Sequence, residues 1–264
     1  MMRIITLLTD FGIDHEFVGI MKGVICAIAP DVQLVDLTHR IPPQSVRDGA
    51  MSLWRAYPFF PNGTIHLFVV DPGVGTKRRP LAAKIGGQYF VGPDNGLLTP
   101  IMEDAQRDNQ PMEFVQLQDP KYWLKKVSHT FHGRDIFSPV VAHLANGVSL
   151  SEFGSFFTDP VRVEMPKPIR TDAGWQAHIS AIDAFGNLTL DLPAAALQNR
   201  TGVLFRLHGV EVVGVVESYG HRSPGELVAV VDSEDFLELA EVNGNAARRL
   251  NAKTGDVVEV HLSG

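Results

Sequence analysis

The chain has one cysteine, Cys26, among its 264 residues, so no disulfide can form within it and packing must supply its stability. The apolar neighbours Val24, Ile25, Ala27 and Ile28 predict a buried helix position for Cys26, where a thiol packs and does not react. A surplus of basic residues is missing too. The formal net charge is -7 and the pI about 5.8, which argues against nucleic acid as a partner, because binding a phosphate backbone needs clustered Lys and Arg in excess. A local basic patch at Lys77, Arg78 and Arg79 can still meet a small anion. No apolar run approaches the roughly 20 residues of a membrane span, and the amino-terminal RIITLL is too short for the apolar stretch of a signal peptide. The expectation is a cytoplasmic protein without a membrane partner. Repeats and low-complexity tracts are absent, which excludes solenoid and propeller architectures. What remains, 45% hydrophobic residues over this length, suffices for one large core or two ordinary ones.

Residues 1–160 alternate strand-like and helix-like segments. RIITLL (3–8), VQLVDL (32–37) and TIHLFVV (64–70) read as strands. FVGIMKGVICAIA (17–29), stopped by Pro30, and VRDGAMSLWRAY, capped by Ser45, read as helices, giving a βαβαβ order. Gly19, Gly23 and Ala27 recur every four residues, and the bare helix face they make is expected to pack closely on a sheet. LAAKI (81–85) and QYFVG (88–92) flank Gly86-Gly87 as a hairpin, and GLLTPIMED and DIFSPVVAHLANG read as further helices, the second ended by Gly147. This predicts an N-terminal layered α/β domain with a mixed sheet. Residues 161–174, proline-rich and aperiodic, read as a linker. From 175 to 264 short strands follow one another (WQAHISAI, NLTLDL, VLFRL, VEVVGVV, LVAVVD, FLELAEV, DVVEVHL), which predicts a smaller C-terminal all-β, barrel-like domain.

Reactive side chains gather where strands end. FVVDPGVGTKRR (68–79) closes a buried strand on Asp71, at the carboxyl edge where open α/β sheets bind ligands, and the turn Pro72, Gly73, Gly75 lets Arg78 fold back toward it. A carboxylate facing an arginine stays ionised and fixed in direction; a strand-ending turn with a structural ion pair has the same sequence. TDFG (9–12) puts Asp10 at the neighbouring strand end, suited to accept hydrogen bonds from two adjacent ribose hydroxyls, or simply to cap its loop. The same letters occur in protein kinases, but no glycine-rich loop or HRD segment precedes them here. In GPDNGLLT (92–99), Asp94 or Asn95 is placed to cap the following helix. In HTFHGRD (129–135), Asp135 looks like a helix N-cap and Arg134 like a surface ion-pair partner, which leaves His132 as the reactive candidate. His129 and His132 with a carboxylate can be imagined around a metal, but no second His pair or HExxH supports one, and none is expected. In IDAFGNLTLDL (182–192), Asp183, Phe185 and Asn187 alternate around Gly186, so that a ring can stack, an amide can read a heteroatom edge and a carboxylate can meet a cation; a polar hairpin turn with one packed Phe is the competing reading. NGNAARRL (243–250) reads as a helix start capped by Asn243 or Asn245.

Taken together, LLTDFG, VGIMKGVI, VVDPGVGTKRR, VGPDNGLLT, TFHGRD, IDAFGN and NGNAA occur in the order of one family, from residue 4 to about 260. The chain resembles the S-adenosyl-L-methionine (SAM) hydrolases that form adenosine, also called SAM hydroxide adenosyltransferases, relatives of the fluorinating and chlorinating SAM enzymes. The resemblance implies hydrolysis of SAM to adenosine and L-methionine by attack of water or hydroxide on the ribose 5′ carbon, with SAM as substrate and no cofactor or metal. It implies an Asp-Arg-His set at Asp71, Arg78 and His132, with Arg79 as the alternative arginine, a ribose carboxylate at Asp10, and further substrate contacts at Asn95, Asp183, Phe185, Asn187, Ser233, Asn245 and Ala246. Which group acts as base stays open at this point. The halogenating relatives lack the strand-end aspartate, and a carboxylate there would repel halide; Gly133 also offers no hydroxyl to one. His15 departs from the acidic residue of many relatives near the methionine end, with Glu16 beside it. The implied assembly is a homotrimer whose active sites lie between subunits. A SAM- or adenosine-binding sensor, a nucleosidase and a halogenase are the competing readings.

Overall fold

The first strand of a computed structural model describing residues 3–198, 200 and 202–263, β1 (Arg3–Thr9), is buried from Ile5 to Thr9, as expected for a central strand covered on both faces. It pairs in parallel with β2 (Val32–Thr38) and β3 (Ile65–Val69). Strands β4 (Pro80–Ile85) and β5 (Gln88–Pro93) form the expected hairpin, β5 lying parallel to β3, and β6 (Met112–Leu117) and β7 (Gly154–Phe157) extend the edge in antiparallel fashion. The seven-stranded sheet is therefore mixed, in the order β2-β1-β3-β5-β4-β6-β7.

Alternation along β3 explains the layering. Ile65, Leu67 and Val69 join a core shared with helices α1 (Phe17–Ile28) and α4 (Ser138–Ala145), whereas Phe68 and the following Val70 face α2 (Val46–Ala56) and α3 (Thr99–Arg107). Ser45 caps α2 by accepting from the Asp48 amide. Helix α1 corrects two expectations. It docks through Val18, Met21 and Ile25, while Gly19, Gly23 and Ala27 face outward, with no atom near the two glycines, and Cys26 is exposed. The larger side chains bury more apolar area, on the order of 25 cal/mol per Å², and this term sets the helix rotation in preference to the closeness of approach that small residues permit.

The chain divides into two compact units, Met1–Met165 and Pro166–Gly264. Among the described residues the second contains eight antiparallel strands: β8 (Ile169–Thr171), β9 (Gly174–Ile182), β10 (Leu188–Pro193), β11 (Gly202–Leu207), β12 (Val210–Val213), β13 (Leu227–Val231), β14 (Phe236–Glu241) and β15 (Val257–Ser263). Their order is β12-β11-β15-β9-β10-β14-β13, with β8 beside β9. The Val216 amide donates to Ala229 O at 2.9 Å, joining the chain after β12 to β13 at the other end of that order, so the sheet curls into a nearly closed barrel. Leu188, Leu190 and Leu192 of β10 and Val203, Phe205 and Leu207 of β11 fill its interior at every second position. A short helix, α5 (Ala246–Leu250), is capped by Asn245. Among the described residues no helix is long and apolar enough to cross a membrane.

Candidate active site

Parallel pairing of Thr9 with Val69 places the ends of β1 and β3 side by side, so Asp10 and Asp71 leave the sheet at the same edge. After Asp71 the chain reverses: Val74 N donates to Asp71 O (3.2 Å), Thr76 N to Gly73 O (3.1 Å), and Arg78 N to Thr76 Oγ1 (3.3 Å). Arg78 thereby returns to Asp71. Its Nε lies 3.0 Å from each carboxylate oxygen, and its second amino group donates to Oδ2 of Asp71 and lies 3.0 Å from Nδ1 of His132. Both members of the pair are largely out of solvent, with 4% of Asp71 and 10% of Arg78 exposed, and the guanidinium rests 5.2 Å from the Phe137 ring centre.

A guanidinium only donates, so Nδ1 of His132 is the acceptor and the neutral imidazole carries its proton on Nε2. Burial, then the charge of Arg78, push the His132 pKa below the ordinary histidine value, and Asp71 only partly opposes them. His132 is therefore neutral at pH 7.

The segment that carries His132 is fastened by Asp135, a correction to its expected role as a helix cap. Asp135 is fully buried and accepts from Ser128 N (2.8 Å), Ser128 Oγ (2.7 Å) and Arg134 Nε (2.6 Å). Burial alone would raise its pKa, but Arg134 and Ser128 hold it below the usual carboxylate value. Residues Gly133–Phe137 form one turn of π-helix before α4, in which the Gly133 carbonyl accepts from Ser138 Oγ at 2.7 Å. Arg134, expected as a surface ion-pair partner, pairs with Asp135 with its side chain 34% exposed, and its guanidinium stacks 5.1 Å from the Phe131 ring centre.

Gly75 joins the loop after Asp71 to the loop that carries His132. Its φ is +75°, and a Cβ there would sit 2.3 Å from His129 O. Gly75→Ala must strain the backbone or part the loops, and is expected to cost about 1–3 kcal/mol and to lower turnover with it. Chemical denaturation and initial rates check this; an unchanged midpoint with full activity would show that the loops do not need this contact.

Other predicted residues are placed as follows. Asp10 Oδ2 accepts from Gln44 N at 2.8 Å. Asn95 does not cap α3; its amide donates to Val70 O (2.7 Å), bracing the strand end before Asp71. Asp94 is likewise no cap: Arg79 bonds it at 2.8 Å and reaches Asp159 Oδ1 at 2.8 Å, so Arg79 is committed away from Asp71, and both arginines of the basic patch are paired with carboxylates. Sequence reasoning did not single out Phe11, Phe17 and Phe131, whose rings meet edge to face at 5.5–6.0 Å and wall the loop beside Asp10 and His132. His15 and Glu16 are exposed, His15 lying 5.9 Å from the Phe17 ring. Among the described residues no three His, Cys, Asp or Glu side chains cluster as metal ligands would.

In the second unit the turn between β9 and β10 brings its candidates together. Asp183 accepts from Phe185 N (2.9 Å), Asn187 N (2.8 Å) and Asn187 Nδ2 (3.0 Å), which orients the Asn187 amide. Gly186 has φ +87°, and a Cβ on it would strike Asn245 at 2.2 Å; its carbonyl accepts from Ala247 N, so the turn sits on the start of α5, with Asn245 and buried Ala246 beneath it. Phe185 projects from this turn, 75% exposed. Ser233 lies in the turn after β13, next to Asp232, which accepts from Glu234 N and Phe236 N at 2.9 Å. Tyr219, unread in the sequence, donates to buried Glu238 at 2.6 Å; burial, then Glu238 and the charges of Asp183 and Asp232, push its pKa up, so these groups share one neighbourhood.

Both halves of the chain have counterparts among known proteins. Residues 5–154 match the SAM hydroxide adenosyltransferase N-terminal domain and residues 177–259 the C-terminal domain of the same name. A Salinispora tropica protein named (R)-S-adenosyl-L-methionine hydrolase is 38% identical over 258 residues, covering 97% of each chain. More distantly, an Actinoplanes protein named fluorinase is 28% identical over 292 residues, again across 97% of each. The crystal structure of an uncharacterized conserved protein from Thermotoga maritima superposes with a TM-score of 0.90 at 35% identity, covering 97% of this chain and 99% of that one. An α/β unit and a β-barrel unit that each match the corresponding half of one family, in the same order and over nearly the full length, mean that the chain belongs to the SAM hydroxide adenosyltransferase family.

Proposed function

We propose that this protein hydrolyses SAM to adenosine and L-methionine, with water or hydroxide displacing methionine at the ribose 5′ carbon. The observation that carries the reading is the buried Asp71 carboxylate gripped by Arg78, which also reaches His132. The sulfonium departs as a neutral thioether, so the leaving group needs neither acid nor metal, and no cofactor is invoked. The task left to the protein is to aim a water in line with the carbon–sulfur bond and to favour its hydroxide character. Arg78 occupies Nδ1 of His132, which leaves that ring a donor through Nε2. Among the described residues Asp71 Oδ1 receives only the Arg78 Nε and keeps room for a second donor, so we assign Asp71 as the group that accepts the hydrogen bond, and as the carbon–oxygen bond forms the proton, of the attacking water, with Arg78 holding the carboxylate ionised and in place beforehand. A halide has no proton to give, and the same carboxylate repels it.

Asp10 is assigned to the ribose diol, Asn95 to bracing the Asp71 strand end, and Asp183, Phe185, Asn187, Ser233, Asn245 and Ala246 to the adenine and methionine groups. The assembly is assigned as a homotrimer working in the cytoplasm, with the first unit of one subunit and the second unit of its neighbour forming each site. Supporting this is Phe185, a large ring left exposed on a turn otherwise tied down by hydrogen bonds.

Turnover of SAM in oxygen-18 water, analysed by mass spectrometry, tests the reading. Label in the 5′ hydroxyl of adenosine is expected. Free adenine would mean glycosidic cleavage, a 5′-halo product on adding halide would mean a halogenase, and unchanged SAM would mean a sensor; each of these overturns the proposal.

A further inference from the structure

The turn carrying Asp10 is held from outside, by the loop that follows β2. His39, buried at the end of that strand, bonds Thr9 Oγ1 through Nδ1 at 2.9 Å, and its carbonyl accepts from Gly12 N at 2.8 Å. The two contacts grip residues 9 and 12, on either side of Asp10. Five residues past His39, the Gln44 amide donates to Asp10 Oδ2 at 2.8 Å, from a left-handed backbone conformation (φ +67°) that a non-glycine residue adopts only when its surroundings demand it.

The ring of His39 is itself oriented. Its Nε2 lies 3.0 Å from Asp36 Oδ1, an electrostatic contact without hydrogen-bond alignment, and Asp36 is fixed in turn by Lys22 at 2.6 Å. A carboxylate at Nε2 keeps the proton there, so Nδ1 accepts from the Thr9 hydroxyl. The Thr9 oxygen is then free to accept from Phe11 N, which it meets at 3.3 Å. A directed chain from Asp36 through His39 and Thr9 thus ends on the backbone immediately after Asp10.

We propose that His39 is a positioning residue for ribose recognition: by clamping the 9–12 turn it sets the direction of the Asp10 carboxylate, and with it the affinity for the 2′,3′-diol. This rests on Asp10 being the ribose carboxylate. No contact between His39 and the substrate is required, and the chemical step is left to Asp71.

Calorimetric binding of adenosine and of 2′,3′-dideoxyadenosine tests it, because the two ligands differ only in what Asp10 reads. The wild type is expected to prefer adenosine, and Asp10→Asn to abolish most of that preference. His39→Leu should weaken adenosine by about tenfold and dideoxyadenosine by less than about twofold, the loss expected when a charge-assisted hydrogen bond is misaimed. His39→Asn, whose side-chain oxygen can replace Nδ1 as acceptor, should recover most of the preference. If His39→Leu does not fold, Thr9→Val removes the same bond at nearly constant volume and must give the same selective loss. A wild-type preference retained in these variants while Asp10→Asn loses it, or an equal loss for both ligands, overturns the role of His39 and leaves Asp10 standing. A preference that survives Asp10→Asn removes both.

Discussion

Asp71→Asn is expected to lower kcat by about a thousandfold while leaving the affinity for SAM within about threefold, the pattern of an interaction made chiefly in the transition state. Asparagine keeps the shape and one carbonyl acceptor but removes the charge. Arg78, now without an anion at its Nε and amino groups, keeps only neutral acceptors, the asparagine carbonyl and His132 Nδ1, so an unpaired cation is left in a site from which water is largely excluded. The attacking water then meets a weak acceptor and a misaligned guanidinium. Single-turnover rates together with equilibrium binding separate the two effects. Near-wild-type turnover in Asp71→Asn would remove this carboxylate from the chemistry, and a loss confined to binding would make it a ground-state contact.

The second large effect is on stability and lies in the core. His66, on β3, is fully buried, stacked on Phe90 with ring centres 5.0 Å apart. Gln88 donates its amide to Tyr57 O and Phe60 O, which turns Oε1 toward Nε2 of His66 at 3.0 Å; Nδ1 then accepts from Thr6 Oγ1 at 2.7 Å. Every polar atom of the neutral ring is satisfied, and a proton added at Nδ1 has no water to solvate it. Burial accordingly pushes the pKa from 6.5 down to about 4, the Gln88 bond only partly opposing this. Because the folded pKa lies below the unfolded one, the unfolded chain takes up the proton first. The contribution is complete above pH 6.5 and is lost as the pH falls from 6.5 to about 4, a span worth about 3 kcal/mol. The pKa values of His132 and His143 are lowered as well, so their losses have the same sign. Urea denaturation at pH 7.5 and pH 4.5 at constant ionic strength measures the difference, and a variant such as His66→Gln should show less of it. A wild-type midpoint that does not move between these pH values would contradict a buried neutral His66.

Much of the fold was legible because it depends on local rules. Apolar runs bounded by Pro, Gly and Asn mark β1, β3 and most strands of the second unit, and the seven-residue spacing with glycines inside it anticipates the return of Arg78 to Asp71. The three-residue β8 was missed, since it has no period to detect and exists only by pairing with β9. Local rules also assigned Asp94, Asn95 and Asp135 to helix caps, the commonest use of such residues before a helix; each is instead claimed by a distant or turn-specific partner, Arg79, Val70 or Ser128. The group Thr9, Asp36, His39 was invisible for a related reason. Thr9 and Asp36 lie on two strands whose neighbourhood is set by parallel pairing, with His39 just past the end of the second, and nothing in either segment alone signals the other. Helix α1 was misoriented because small residues permit close approach without requiring it, whereas Met21 and Ile25 must leave water.

The wide turn at Gly133–Phe137 holds one residue more than an α-helical path between the same ends would need. A single residue can therefore be lost from it without turning the helix, whereas one lost from α4 beyond it would swing everything upstream by about 100° around the helix axis. His132 would then be carried off the Arg78 amino group that it now meets, although neither residue had been altered. The angular aim of the imidazole is thus encoded by the residue count of α4, a property that side-chain substitutions leave intact and a one-codon deletion there does not.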